Sequence, residues 1–118
     1  MSSVDVDVAQ EQVTAAQVTV YTAPSASNFL TAKIVGGQVT NAGATDSELT
    51  VYVVQSGGAA AATNIYFPPK VIFAGNVDLL NSIVGAGLFL KTGDFIVTIA
   101  SVASMLNFKL SITEKYSD

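Results

Sequence analysis

Two aspartates, Asp5 and Asp7, alternate with valines in Val4-Asp5-Val6-Asp7-Val8, and on an extended strand both would project from one face. Paired carboxylates can supply the acid and base of glycoside hydrolysis. That chemistry also needs a sugar cleft with aromatic platforms, and the chain has no Trp. The simpler reading is that the two aspartates solvate an edge strand and discourage uncontrolled pairing. The Asp/Asn/Gly loop of a calcium site is absent. Ser104 or Ser111 with Lys109 is the nearest approach to a Ser–Lys dyad, but neither serine sits in a nucleophile elbow. Lys109 lies between Phe108 and Leu110, where a wetted strand face would put it. Gly85-Ala86-Gly87 lacks the third glycine of a phosphate loop, and the glycines before Lys91-Thr92 are misplaced for one. With no His and no Cys, imidazole chemistry, thiol nucleophiles, disulfides and zinc sites have no residues to build them. The reading is that the chain is not an enzyme and carries no cofactor or metal.

What remains is a chain of 118 residues, enough for one domain with its own core. Half of it is hydrophobic and 12% is charged, well below the roughly 25% of an ordinary domain. Its exposed positions must therefore be covered largely by Ser, Thr, Asn, Gln, Gly and Ala, a surface that is easily desolvated against a protein partner. Five scattered lysines, no arginine and a net charge of -4 argue against nucleic acid as a partner. Met1-Ser2-Ser3-Val4-Asp5 lacks the basic and apolar regions of a signal peptide. The uncharged run Leu49–Pro69 is broken by Gln55, Gly57, Gly58, Asn64 and a Pro pair, so a membrane is not expected as a partner either. A soluble protein made in a cytoplasm is expected.

The recurring period is two. Val18 and Val20, Leu49-Thr50-Val51-Tyr52-Val53-Val54, Phe95-Ile96-Val97-Thr98-Ile99 and Leu106-Asn107-Phe108-Lys109-Leu110-Ser111-Ile112 read as half-buried strands. Turn residues separate them at 22–28, 41–46, 57–63 and Thr92-Gly93-Asp94. Strands are expected near 17–23, 29–40, 47–55, 64–74, 78–90, 94–101 and 105–115. The stretch Val77–Val84 could also make two helical turns, but Gly85 and Gly87 would stop them early, and strand or irregular structure is favoured. The fold expected is all-β: an antiparallel β-sandwich of about seven to eight strands over residues 17–118. Residues 1–16 have the texture of an extended N-terminal arm, which could add to a neighbour's sheet edge, form the chain's own edge strand, or fray.

The order of these segments resembles a family of small virion proteins of tailed bacteriophages. The resemblance is carried by Val20-Tyr21-Thr22-Ala23-Pro24, Asn41-Ala42-Gly43, Leu49–Val54, Gly57-Gly58-Ala59 and Leu90-Lys91-Thr92-Gly93-Asp94-Phe95-Ile96, and it covers residues 17–115. It implies a sandwich of jelly-roll type, repeated many times in the virion after assembly in the host cytoplasm. The role it implies is capsid decoration or cement, commonly as a trimer, with the major capsid protein or other virion proteins as partners. A tail, neck or fibre position is the alternative. The family offers no catalytic residues. Two departures stand out: Pro68-Pro69 falls where a strand should begin, which makes that strand an edge, and Ser25-Ala26-Ser27 replaces the usual glycine after Pro24.

The candidate interface residues are Val4, Val6 and Val8 on the arm, Tyr21 and Phe29 flanking the first loop, and Phe67 and Phe73 bracketing the Pro pair. For each aromatic taken singly, core packing competes with an interface role. A carbohydrate-binding sandwich ranks lower, because Tyr21, Tyr52, Tyr66 and Tyr116 do not cluster in the sequence.

Overall fold

The computed structural model describes residues 2–79 and 89–117. Among them are nine strands: β1 (Ser2–Gln12), β2 (Val18–Thr22), β3 (Phe29–Asn41), β4 (Ser47–Val54), β5 (Ile65–Ile72), β6 (Val77–Leu79), β7 (Phe89–Leu90), β8 (Phe95–Ala100) and β9 (Leu106–Tyr116). One short 3-10 turn, Ala62–Asn64, precedes β5. The strand expected over 78–90 is represented by β6 and β7, and the Gly85-Ala86-Gly87 bend lies outside the described residues.

The strands form two antiparallel sheets, one ordered β1-β9-β3-β6 with β7 also pairing to β3, the other β2-β8-β4-β5. If β6 and β7 share one position, each sheet has four places and the chain changes sheet at almost every connection. That connectivity is a jelly roll. β5 takes the edge of its sheet, as its two prolines require, since neither can donate to a ladder. Residues 2–12, expected as an arm, lie as β1 on the edge of the first sheet, in register with β9 from Ser2 opposite Tyr116 to Gln12 opposite Asn107.

Alternation builds the core. Leu106, Phe108, Leu110 and Ile112 of β9 point inward with Ile34 and Val39 of β3, their neighbours in register. Leu49 and Val51 of β4 and Ile96 and Ala100 of β8 close the core from the other sheet. In β3 the register slips between Phe29 and Thr31 and again between Ile34 and Gly36. Leu30 and Val35 are the extra residues of these two bulges, and both are exposed because a bulged residue has no partner across the ladder.

The molecule measures 48 × 25 × 21 Å. β3, at about 3.3 Å per residue, spans roughly 43 Å and can lie only along the long axis. The loops accordingly gather at its two ends. At one end Asp94 organises three segments: its carboxylate accepts from Ser56 N (3.1 Å) and Lys91 N (2.9 Å), and its carbonyl accepts from Ala23 N (2.8 Å). Gly93, at φ +81, makes the tight turn before it. At the other end buried Asn41 donates to Ile72 O (2.8 Å) and Thr45 O (2.9 Å) and accepts from Gly43 N (3.0 Å).

Candidate interaction surfaces

A sandwich has four sheet edges, and each free edge presents unpaired backbone groups to solvent. Two of them are blunted among the described residues. β5 carries Pro68 and Pro69. β2 has five residues and a bulge between Thr19 and Tyr21. β1 is longer, with eleven residues and no proline, although its register against β9 also slips between Val8 and Glu11.

The alternation on β1 is resolved by its register. Val4, Val6 and Val8 stand opposite Glu114, Ile112 and Leu110, all inward-facing positions of β9. Asp5 faces outward opposite Thr113, whose Oγ1 donates to Asp5 Oδ1 at 3.1 Å. Val4 points toward the interior side yet remains 47% exposed, so the seam between the sheets is open beside it. Val6 is half-buried. Val8 is placed by register alone, as is Phe67, opposite Val51.

Phe73 is 58% exposed just after β5, beside Val71 and with Val77 (55%) across the following turn. These three side chains make an apolar patch at the Asn41 end of the molecule, rimmed by the Lys70–Asp78 ion pair at 2.5 Å. Phe89, on β7, is a further exposed aromatic, with Lys33 Nζ 5.6 Å from its ring centre. The exposure of Leu30 and Val35 is not legible from alternation, because both are bulge residues.

Tyr21 and Phe29 correct the surface expectation. They are 8% and 7% exposed and belong to the core. Phe29 begins β3 on its inward phase and packs edge-on against Tyr116, with ring centres 5.6 Å apart and planes at 72°. Tyr21 points inward from β2 because a polar partner waits there for its hydroxyl: it donates to Glu114 Oε2 at 2.6 Å. Tyr116 donates to Oε1 of the same carboxylate at 2.7 Å. Glu114 is itself buried, so two phenols supply the hydrogen bonds that water would otherwise give it. Burial, followed by the hydrogen bond to Glu114 and the carboxylate's charge, pushes the Tyr21 hydroxyl above the ordinary phenol range. The Tyr116 hydroxyl is raised first by its own hydrogen bond to Glu114, then by burial and charge. Sequence reasoning missed Glu114, although its phase gave a signal: it continues the inward series 106, 108, 110, 112.

At the Asp94 end an open cleft of about 630 Å³ is lined by Gln55, Thr63, Asn64, Tyr66 and Phe89, among others. Much of its polar lining already serves the fold. Asn64 accepts from Ala61 N (2.9 Å) and donates to Ala59 O (2.8 Å), and both Asp94 oxygens are engaged by backbone amides. One tyrosine, Tyr66, lines it.

No family model and no curated protein matches the chain. Among solved structures, a protein of Bacillus endospore appendages, described as a novel family of disulfide-linked pili, shares the fold. Its TM-score is 0.51 at 14% identity, over 98% of this chain and 87% of the other. A chain of the T13 infectious bursal disease virus particle aligns at TM-score 0.49 and 12% identity, over 96% of this chain and 30% of that one. A chain from the Gx strain of the same virus aligns at 0.47 and 16%, over 95% and 32%.

Proposed function

We propose that this protein is a structural subunit of a virion, a capsid decoration or cement protein of a tailed bacteriophage, which clamps neighbouring capsid subunits through sheet-edge and apolar contacts. The observation that carries this reading is the long free edge of β1, with Val4 half-uncovered beside it. An open edge and exposed apolar side chains are a hazard for a solitary protein and useful in an assembly. The Phe73–Val77 patch supplies a second contact, beside the Lys70–Asp78 ion pair. A weak contact repeated over a symmetric shell gains from avidity, so neither surface needs to be large. Co-sedimentation of the purified chain with undecorated shells tests the reading. Saturable binding in a fixed ratio to the shell subunit supports it, and a chain left in the supernatant at every concentration refutes it.

A second reading, a subunit of a tail, fibre or other filament, is favoured by the likeness to the endospore-appendage protein, which extends over nearly the whole of both chains. With no cysteine, a filament of this chain would be held by non-covalent contacts alone.

A further inference from the structure

We propose that the open cleft at the Asp94 end binds a neutral glycan, held through its hydroxyls by Asp94, Gln55, Thr63 and Tyr66. None of its described lining residues belongs to β1 or to the Phe73 patch. The inference therefore goes beyond the assembly role and does not rest on it.

The lining comes from separate parts of the chain. β4 ends at Val54 and leads into the loop 55–64, β5 begins at Ile65, and β7 and the turn at Asp94 add the rest. The loop is held in place before any ligand arrives. Ser56 N donates to Asp94 Oδ1 (3.1 Å), Gly58 N donates to Gln55 O (2.9 Å), and Asn64 ties Ala61 N to Ala59 O. A wall fixed in advance spares a ligand the entropic cost of ordering it. These bonds leave other groups over. The side chains of Gln55, Thr63 and Tyr66 line the cleft and have no hydrogen-bond partner among the described residues. Each Asp94 oxygen accepts one backbone amide, from Ser56 or Lys91, and keeps a lone pair for a second donor.

The chemistry of this lining selects the ligand. No lysine is among the described lining residues, so an anion would meet the Asp94 carboxylate without a counter-charge. A wholly apolar ligand would desolvate Asp94 and three further polar side chains and return no hydrogen bonds to them. A hard metal cation takes about six or more oxygens, and no group of three acidic side chains stands together among the described residues. A ligand rich in hydroxyls fits, since each hydroxyl can donate to a carboxylate and accept from an amide. A sugar ring also has an apolar C–H face, for which Val53, Ile65 and exposed Phe89 provide apolar lining. The tyrosines are scattered in the sequence, and the fold does not gather them. It sets one tyrosine and one phenylalanine beside an amide and a carboxylate drawn from positions 55 to 94.

An array of immobilised glycans, neutral ones beside sialylated and uronic-acid-bearing ones, tests the site with the full chain. Binding should be confined to neutral glycans. Calorimetry with the free form of the glycan captured most strongly then reads two variants. Gln55→Ala/Thr63→Val alters two exposed side chains, and Tyr66→Phe removes a single hydroxyl. Each should weaken binding by about five-fold or more. Circular dichroism checks that both are folded, and if one is not, the other still reads the site. Failure to bind any glycan overturns the proposal, as does binding limited to acidic glycans. Neutral-glycan binding that neither folded variant weakens lies elsewhere on the molecule and overturns it too. A blank array beside capture of a displayed peptide, lost in both variants, would assign the cleft to a peptide instead. Shell binding should be the same in Gln55→Ala/Thr63→Val as in wild type, so the two functions are read separately.

Discussion

The Tyr21 hydroxyl, on the edge strand of one sheet, donates to the Glu114 carboxylate on the facing sheet at 2.6 Å, inside the protein. With Tyr116 on the other oxygen, a single acidic side chain ties the two layers together where the apolar core gives way to the Asp94 end. The bond crosses the sandwich beside the flank on which β1 and β2 meet, so it also fixes the position of the β1 edge through which assembly is proposed.

Removing one phenol leaves a buried carboxylate short of a donor. Tyr21→Phe should lower stability by about 1–3 kcal/mol, the cost of an unsatisfied buried polar group. Glu114→Gln keeps one acceptor but turns an amide N–H₂ toward a phenol, and should fall between wild type and Tyr21→Phe. Urea midpoints at constant slope check both.

The same cluster sets a pH response. Both tyrosines are held above the ordinary phenol value, near 10, so the folded chain keeps protons that the unfolded chain releases. Their contribution to stability is complete below about pH 10 and declines as pH rises beyond it. Urea midpoints measured from pH 8 upward should fall above about pH 10, and the fall should be shallower in Tyr21→Phe.

Thr98 offers the opposite case. Its hydroxyl is buried on β8 and has no hydrogen-bond partner among the described residues. Thr98→Val keeps the shape and removes the desolvated group, and should stabilise the fold by about 1 kcal/mol. A lower melting temperature for this variant would show that the hydroxyl has a partner.

Gly93 is needed for backbone reasons and for space. It sits at φ +81, and a Cβ there would stand 2.5 Å from Ser56 Oγ. Gly93→Ala should cost about 1–2 kcal/mol and disturb the Ser56–Asp94 contact that joins the two loops. Thermal unfolding of the variant reads this directly.

Phe73→Ser separates surface from core. The side chain is 58% exposed, so stability should stay within about 0.5 kcal/mol of wild type. Shell binding should drop by about ten-fold if Phe73 anchors a contact. Equal binding by the two proteins would remove the patch from the interface.

The sequence made the architecture readable because the strands alternate cleanly and the turns are marked by Gly, Asn, Asp and Pro. Six expected strands lie within a few residues of β2, β3, β4, β5, β8 and β9, and Pro68-Pro69 marks the edge that β5 occupies. The surface was less legible. Leu30 and Val35 are exposed because bulges shift the phase, and a bulge is set by the partner strand rather than by local composition. Tyr21 and Phe29 looked like loop-flanking aromatics but turn inward, one toward a carboxylate 93 positions away in the chain. Glu114 sat in the inward phase all along, yet a charge in a core series is usually taken for a surface residue. The valines of β1 showed that a half-buried strand was present, but not whose sheet it would join.

The central claim is that this chain works by packing in many copies within a particle. An electron-microscopy map of the assembled particle tests it most directly. Density for this jelly roll should repeat over the shell at capsomer junctions, with its β1 edge and Phe73 patch in contact with neighbours. A map in which the shell carries no such density, or in which both surfaces face solvent, would contradict it.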